Sequence, residues 1–136
     1  MSEFNENVQV VQDLYAAFGQ GDMAGLLTLL AEDVDWTFNG RREDIPFAGR
    51  WQGRGEMMDF FRTVGETCDV LAFGPNEVIA LGEHVLSLGH ERVRVRATGR
   101  EFESDWAHLF TVQDGQVVRL REYYDTAVMA EAFLAK

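Results

Sequence analysis

Residues 5–18 place Val8, Val11, Leu14, Tyr15 and Phe18 one helical turn apart, the spacing of an amphipathic helix with one apolar stripe. Gly19 and Gly21 end that helix. Asp22 is placed to cap a second one, which carries Leu26, Leu27, Leu29 and Leu30 and stops near Ala31. Residues 33–38 then alternate, which predicts a short strand with Trp36 and Phe38 on one side. Residues 39–52 hold Gly, Pro and two large aromatics, Phe47 and Trp51. A connection this long and aromatic reads as a cover over a site rather than a plain link. A third helix is predicted from Gly53 to Thr67, with Met57, Phe60, Phe61 and Val64 on its apolar side.

Beyond this helix the pattern changes to period two. Strands are predicted over 70–74, 77–82, 84–97, 101–112 and 117–125, with turns at Gly74-Pro75-Asn76, Thr98-Gly99-Arg100 and Gln113-Asp114-Gly115. Asp-Gly is a strong hairpin signal. Helices followed by strands make an α+β order. A curved sheet wrapped around three N-terminal helices would enclose a conical cavity. No repeat or low-complexity linker interrupts the chain, so residues 1–136 are expected to form one domain.

The last strand carries Val118, Leu120, Glu122 and Tyr124 on one face and Arg119, Arg121 and Tyr123 on the other. With the apolar face turned to the core, Glu122 lies inside beside a tyrosine. A buried carboxylate is costly unless it is hydrogen-bonded or kept protonated, and that cost is tolerated mainly at sites that bind or catalyse. Glu122 is therefore the first candidate for acid–base chemistry, with Tyr124 two residues on and Asp105 joining from the neighbouring strand. The alternative is a Glu122 held by an arginine or a helix end and closed off from any cavity.

Val93, Val95 and Ala97 alternate with Arg92, Arg94 and Arg96, so the arginines stand on the outer sheet face, extended by Arg119, Arg121 and Tyr123. That face is either a solvated basic stripe or a subunit interface, and the acidic remainder of the chain favours the interface. Residues 104–112 are apolar on both faces, with Asp105, Ala107 and Leu109 as one set and Trp106, His108 and Phe110 as the other. Such a strand is covered on both sides, and pairing alone does not phase it.

Net charge changes the list of partners. At −11 over 136 residues the chain is unsuited to nucleic acid or anionic membrane, which are bound by clustered Lys and Arg. No apolar run reaches the length of a membrane span, and the N-terminus shows no basic-then-apolar leader, so a cytoplasmic protein is expected. A single cysteine, Cys68, leaves no internal disulfide, and nothing near it suggests activation. His84 and His90 would sit about 20 Å apart on one strand, and no His or Cys spacing fits zinc, so neither a metal nor a cofactor is expected. His108 reads as a structural residue. What remains is carboxylate chemistry in an aromatic cavity of roughly a few hundred Å3. Tyr15, Trp36, Phe38, Phe47, Trp51, Phe61 and Leu109 are its expected lining, with Glu122 and Tyr124. Such a lining suits a flat apolar molecule bearing one or two oxygens.

Val10-Val11-Gln12-Asp13-Leu14-Tyr15-Ala16-Ala17-Phe18 followed by Gly21-Asp22, Leu29-Leu30-Ala31-Glu32-Asp33-Val34, Phe47-Ala48-Gly49 with Trp51-Gln52-Gly53, Ala97-Thr98-Gly99-Arg100, and Trp106-Ala107-His108-Leu109-Phe110 with Asp114-Gly115-Gln116-Val117-Val118 together carry a family resemblance. The chain resembles the SnoaL-like, ketosteroid isomerase-like proteins of the nuclear transport factor 2 superfamily over nearly its whole length. The resemblance implies a cone of strongly bent mixed sheet with three helices, a deep apolar pocket, and dimerisation through the outer sheet face. It also implies that Asp105, Ala107 and Leu109 turn inward, leaving Trp106, His108 and Phe110 for the interface. In the slots where ketosteroid isomerases carry their tyrosine, base and second acid, this chain has Leu14, Phe38 and Ala107, so that mechanism does not carry over. SnoaL-type polyketide cyclases place an acid on the last strand, at a slot that matches Glu122.

Two function classes follow. One is a cofactor-independent isomerase, cyclase, lyase or hydrolase acting on a cyclic ketone, polyketide or terpenoid. The other is a non-catalytic small-ligand binder or accessory dimer. A second polar group opposite Glu122 separates them; Asp105 is the expected one, and its absence from the pocket would favour binding.

Overall fold

A computed structural model describes residues 3–134, with side chains from Glu6 onward. The elements run α1 Glu3–Gln20, α2 Met23–Thr28, β1 Leu30–Phe38, β2 Gly49–Gln52, α3 Gly53–Thr67, β3 Cys68–Leu81, β4 His84–Val95, β5 Glu101–Gln113, β6 Gln116–Tyr124 and α4 Thr126–Phe133. The six strands form one curved, unclosed sheet in the order β2-β1-β6-β5-β4-β3. It is mixed, because β1 runs parallel to β6 while every other pair is antiparallel. This is the expected α+β cone, with the helices packed into the concave side.

Local chemistry explains most of the boundaries. The Asp22 carboxylate accepts the Gly25 N–H at 2.9 Å and starts α2. That helix ends at Thr28, earlier than its leucines suggest, because Leu30 already pairs with Val117 and the Val117 N–H donates to the Leu29 carbonyl at 2.8 Å. Asp114 and Gly115 both have positive φ, 52° and 76°, as the tight Asp-Gly hairpin turn between β5 and β6 demands.

Gly74-Pro75-Asn76 does not turn the chain. The two strands expected on either side of it are one, β3, whose register against β4 slips between Val70 and Ala72 and again between Pro75 and Glu77. A proline lacks the N–H for a ladder bond, but β3 is an edge strand, where that loss is tolerated. Two elements had no clear sequence signal. β2 is only four residues inside the long connection, and α4 is an eight-residue segment too short to show a helical period. α4 closes one end of the cone: Met129 and Ala132 are buried, and the Thr98 hydroxyl donates to the Ala132 carbonyl at 2.7 Å.

The phase of β5 corrects the expectation. Phe102, Ser104, Trp106, His108 and Phe110 are buried and face the helices, whereas Asp105 is exposed and Ala107 and Leu109 lie half-exposed on the outer face. The partner strand decides this. Trp106 stands opposite Gly89 on β4, and a Cβ on Gly89 would run into both the Trp106 indole and the Gly74 backbone carbonyl of β3. The indole fills the space a side chain would take on the inward face of β4. Gly89→Ala must therefore displace Trp106, at a cost of about 1–3 kcal/mol for overpacking. A lowered midpoint in urea unfolding checks this; an unchanged midpoint would show that the indole has room to move.

Phe110, Leu26, Ile45, Met57, Leu120 and Met129 are fully buried at the centre of one apolar cluster. Each contributes about 1.5–3 kcal/mol through removal from water. Among the described residues no helix is long and apolar enough to cross a membrane.

Candidate active site

The concave side holds a cavity of about 70 Å3 lined mainly by aromatic rings. It is smaller than the few hundred Å3 expected, because the rings meant to surround a void pack against one another instead. Phe60 and Phe61 lie 5.0 Å apart, Phe38 and Phe47 5.1 Å, and Phe18 and Phe73 5.3 Å between ring centres. The space takes several waters; a ring-sized ligand enters only as these side chains part.

Tyr15, Trp36, Phe38, Phe47, Phe61, Glu122 and Tyr124 all line the cavity. Three expected residues do not. Asp105 and Leu109 lie on the outer face through the phase of β5, where the Asp105 carboxylate meets His90 Nδ1 at 2.8 Å. Trp51 is inward but sits on the short edge strand behind Phe60, capped by the Arg42 guanidinium 4.1 Å above its ring. His108, read as a structural residue and assigned by the resemblance to the interface, lines the cavity instead, together with Glu91 and Phe73, which had not been singled out. Glu91 was within reach of the sequence, since the alternation that turns Val93 and Val95 inward also turns Glu91 inward. His108 was hidden by the ambiguous phase of its strand.

Strand pairing brings the polar groups together. His108 on β5 stands opposite Glu122 on β6, and Tyr124 follows two residues later on the same face. The Tyr15 hydroxyl, reaching in from α1, lies 2.8 Å from His108 Nδ1. His108 Nε2 lies 2.9 Å from the Tyr124 oxygen and 3.1 Å from Glu122 Oε1. The Tyr124 hydroxyl donates to Glu122 Oε1 at 3.3 Å, and the Trp36 indole N–H donates to Oε2 at 2.7 Å. These partners assign the imidazole as the tautomer with its proton on Nε2, accepting from Tyr15 on Nδ1. Two donors, the Tyr124 hydroxyl and the Trp36 indole, therefore hydrogen-bond the two oxygens of Glu122, while His108 is hydrogen-bonded to the Tyr124 oxygen with Nε2 3.1 Å from Oε1; no arginine is among these partners. The side chains of His108 and Glu122 are 3% and 7% exposed, so the pair works out of water.

Stacking holds the network in place. The His108 ring lies 4.0 Å from Trp106 with 13° between their planes, and Tyr124 lies 4.6 Å from Phe38 at 11°. Burial pushes the Tyr15 and Tyr124 phenols well above their ordinary range, and the nearby Glu122 charge adds to both. Both remain protonated donors throughout the neutral range. Burial also pushes the Cys68 thiol up to about 11, the opposite of an activated nucleophile. Glu91 is raised to about 8, first by burial and then by the Glu122 charge, so the cavity wall carries a carboxyl that is largely neutral at pH 7.

Comparison with known proteins bears on the fold and the family. A family model described as the SnoaL-like domain matches residues 11–120. An NTF2-like protein from Burkholderia xenovorans LB400 is 38% identical, with 96% of this chain and 97% of that chain aligned at a TM-score of 0.87. An NTF2-like protein of unknown function from Burkholderia pseudomallei K96243 is 31% identical, covering 99% of this chain and 100% of that chain at 0.88. An uncharacterised protein of Mycobacterium tuberculosis is 27% identical over 141 residues, covering 95% of this chain and 96% of that protein. The chain belongs to the SnoaL-like domain family, within the NTF2-like fold.

Proposed function

We propose that the protein is a cofactor-independent acid–base catalyst for a small, largely apolar carbonyl compound, with Glu122 as the proton acceptor. The observation that carries this reading is the buried Glu122 carboxylate in an aromatic cavity, hydrogen-bonded by Tyr124 and Trp36 with His108 Nε2 3.1 Å away. Asp105 was the expected second polar group and is not in the cavity, which by itself favours a binder; a different second polar group, His108, stands opposite Glu122 there, and it keeps catalysis ahead of simple binding.

In the proposed step, a C–H bond next to the ligand carbonyl breaks and its electron pair passes into an enolate. The proton moves to Glu122 and returns to the same framework at the same or another carbon. Tyr124 and Trp36 hold the carboxylate in line, His108 Nε2 holds the Tyr124 hydroxyl, and Tyr15 holds the imidazole. An isomerase, or a cyclase closing a ring through the same enolate, would use this chemistry. A panel of small cyclic ketones from cyclohexanone to 2-tetralone tests it, with deuterium entry at the α-carbon followed by NMR. Exchange well above the buffer rate supports catalysis. Tight binding without exchange leaves the binder.

The outer sheet face is proposed as a homodimer interface. Leu86, Leu109 and Arg121 form one row across β4, β5 and β6, and Leu88, Ala107 and Tyr123 form the next. Tyr123 is 48% exposed, and this apolar centre is flanked by the charged rows Arg92–Glu103 and Arg94–Glu101. That is the anatomy of an apolar core with a polar rim. Sedimentation at micromolar concentration should give twice the chain mass, and Leu109→Glu should give the monomer. A wild-type monomer would rule the interface out.

A further inference from the structure

Glu91 is the one cavity acid that the proposed step leaves unused. It comes from β4, opposite Ser104 of β5, and is 6% exposed. Among the described residues its carboxyl makes no hydrogen bond and no salt bridge, yet it lines the cavity together with Tyr15, Phe73 and Phe102. The Ser104 hydroxyl offers it nothing, since it donates to the Asp105 carbonyl and accepts the Asp125 N–H. From Ser104 to His108 is four residues along β5, about 13 Å of backbone at about 3.3 Å per residue. Glu91 and the His108–Glu122 pair therefore rise from well-separated backbone positions on the wall of one cavity, within range for the Glu122 charge to act on Glu91.

A buried carboxyl without a partner costs stability, and a chain that keeps one there has left an open hydrogen-bonding position. Hydrophobic residues of similar size would fill that wall at no such cost. We propose that Glu91 is a ligand-contacting residue that takes a carbonyl or hydroxyl oxygen at the far end of the molecule held by His108 and Glu122. The site then selects compounds with two oxygen functions separated by a flat apolar framework. This rests on the reading of the cavity as a small-molecule site and narrows its ligand class.

The test compares 2-naphthol with 2,6-dihydroxynaphthalene, which differ only in the second oxygen, by calorimetric titration of the full chain. Wild type should bind the diol more tightly by about tenfold, the value of one added hydrogen bond to a buried polar group. Glu91→Leu should erase that preference while leaving 2-naphthol affinity within about twofold, and Glu91→Gln should keep part of it. If Glu91→Leu still prefers the diol as wild type does, the assignment of Glu91 is wrong while the cavity reading stands. If wild type binds neither naphthol, the cavity reading fails and this inference falls with it. Glu91→Gln, nearly the shape of the native residue, keeps the comparison available should the leucine variant not fold.

Discussion

Glu122→Gln should lower the rate of deuterium entry into a bound cyclic ketone by about 10²–10⁴-fold, the usual loss when an acid–base group is removed. The amide keeps the shape of the carboxylate and one acceptor oxygen, so the Trp36 bond at 2.7 Å has a counterpart in the variant. It cannot take up the proton. Ligand affinity should change little, so the defect belongs to turnover rather than to binding. His108→Phe keeps the ring stacked on Trp106 but removes both nitrogens, and should lower exchange by a smaller factor, because it orients Glu122 rather than touching the reacting carbon. Full exchange in Glu122→Gln would sink the catalytic assignment.

Between pH 4.5 and about 8, wild type should lose stability relative to Glu91→Gln as the pH rises. Glu91 is an acid whose carboxyl is raised from the ordinary 4.5 to about 8 in the folded chain, by burial first and by the Glu122 charge second. Below pH 4.5 it is protonated in both states and adds no pH dependence. Above that, the unfolded chain gives up the proton while the folded chain keeps it, so stability falls with a slope of up to about 1.4 kcal/mol per pH unit. Near pH 8 the folded form ionises too and the loss levels off. Tyr15 from α1, Cys68 from β3, His108 from β5 and Glu122 and Tyr124 from β6 face the same cavity, which is why Glu91→Gln is the comparison rather than the raw curve. Urea unfolding at half-unit intervals measures the difference. Parallel curves for the two proteins would show that Glu91 is not held neutral.

Periodicity alone determined α1, α3 and the run of strands in the second half of this chain. The stripe Val8, Val11, Leu14, Tyr15 and Phe18 is α1, and Met57, Phe60, Phe61 and Val64 mark the apolar side of α3. The alternation around Glu122 turned that acid inward beside Tyr124, because a strand with one apolar face has only one favourable orientation. Those are local properties, written in the spacing of neighbouring residues.

The tertiary structure decided whatever depended on a partner. β5 carries apolar residues on both faces, so its phase was set by Gly89 across the ladder, where Trp106 finds room. That choice sent Asp105 outside and brought His108 against Glu122. Pro75 reads as a turn until the sheet order shows β3 to be an edge strand, where a missing N–H costs no ladder bond. The cavity shrank to about 70 Å3 because aromatic rings from α1, α3, β1 and β3 meet only after folding. A helix or strand period reports which way a side chain points relative to its own backbone. What that side chain touches is settled by elements far away in the chain.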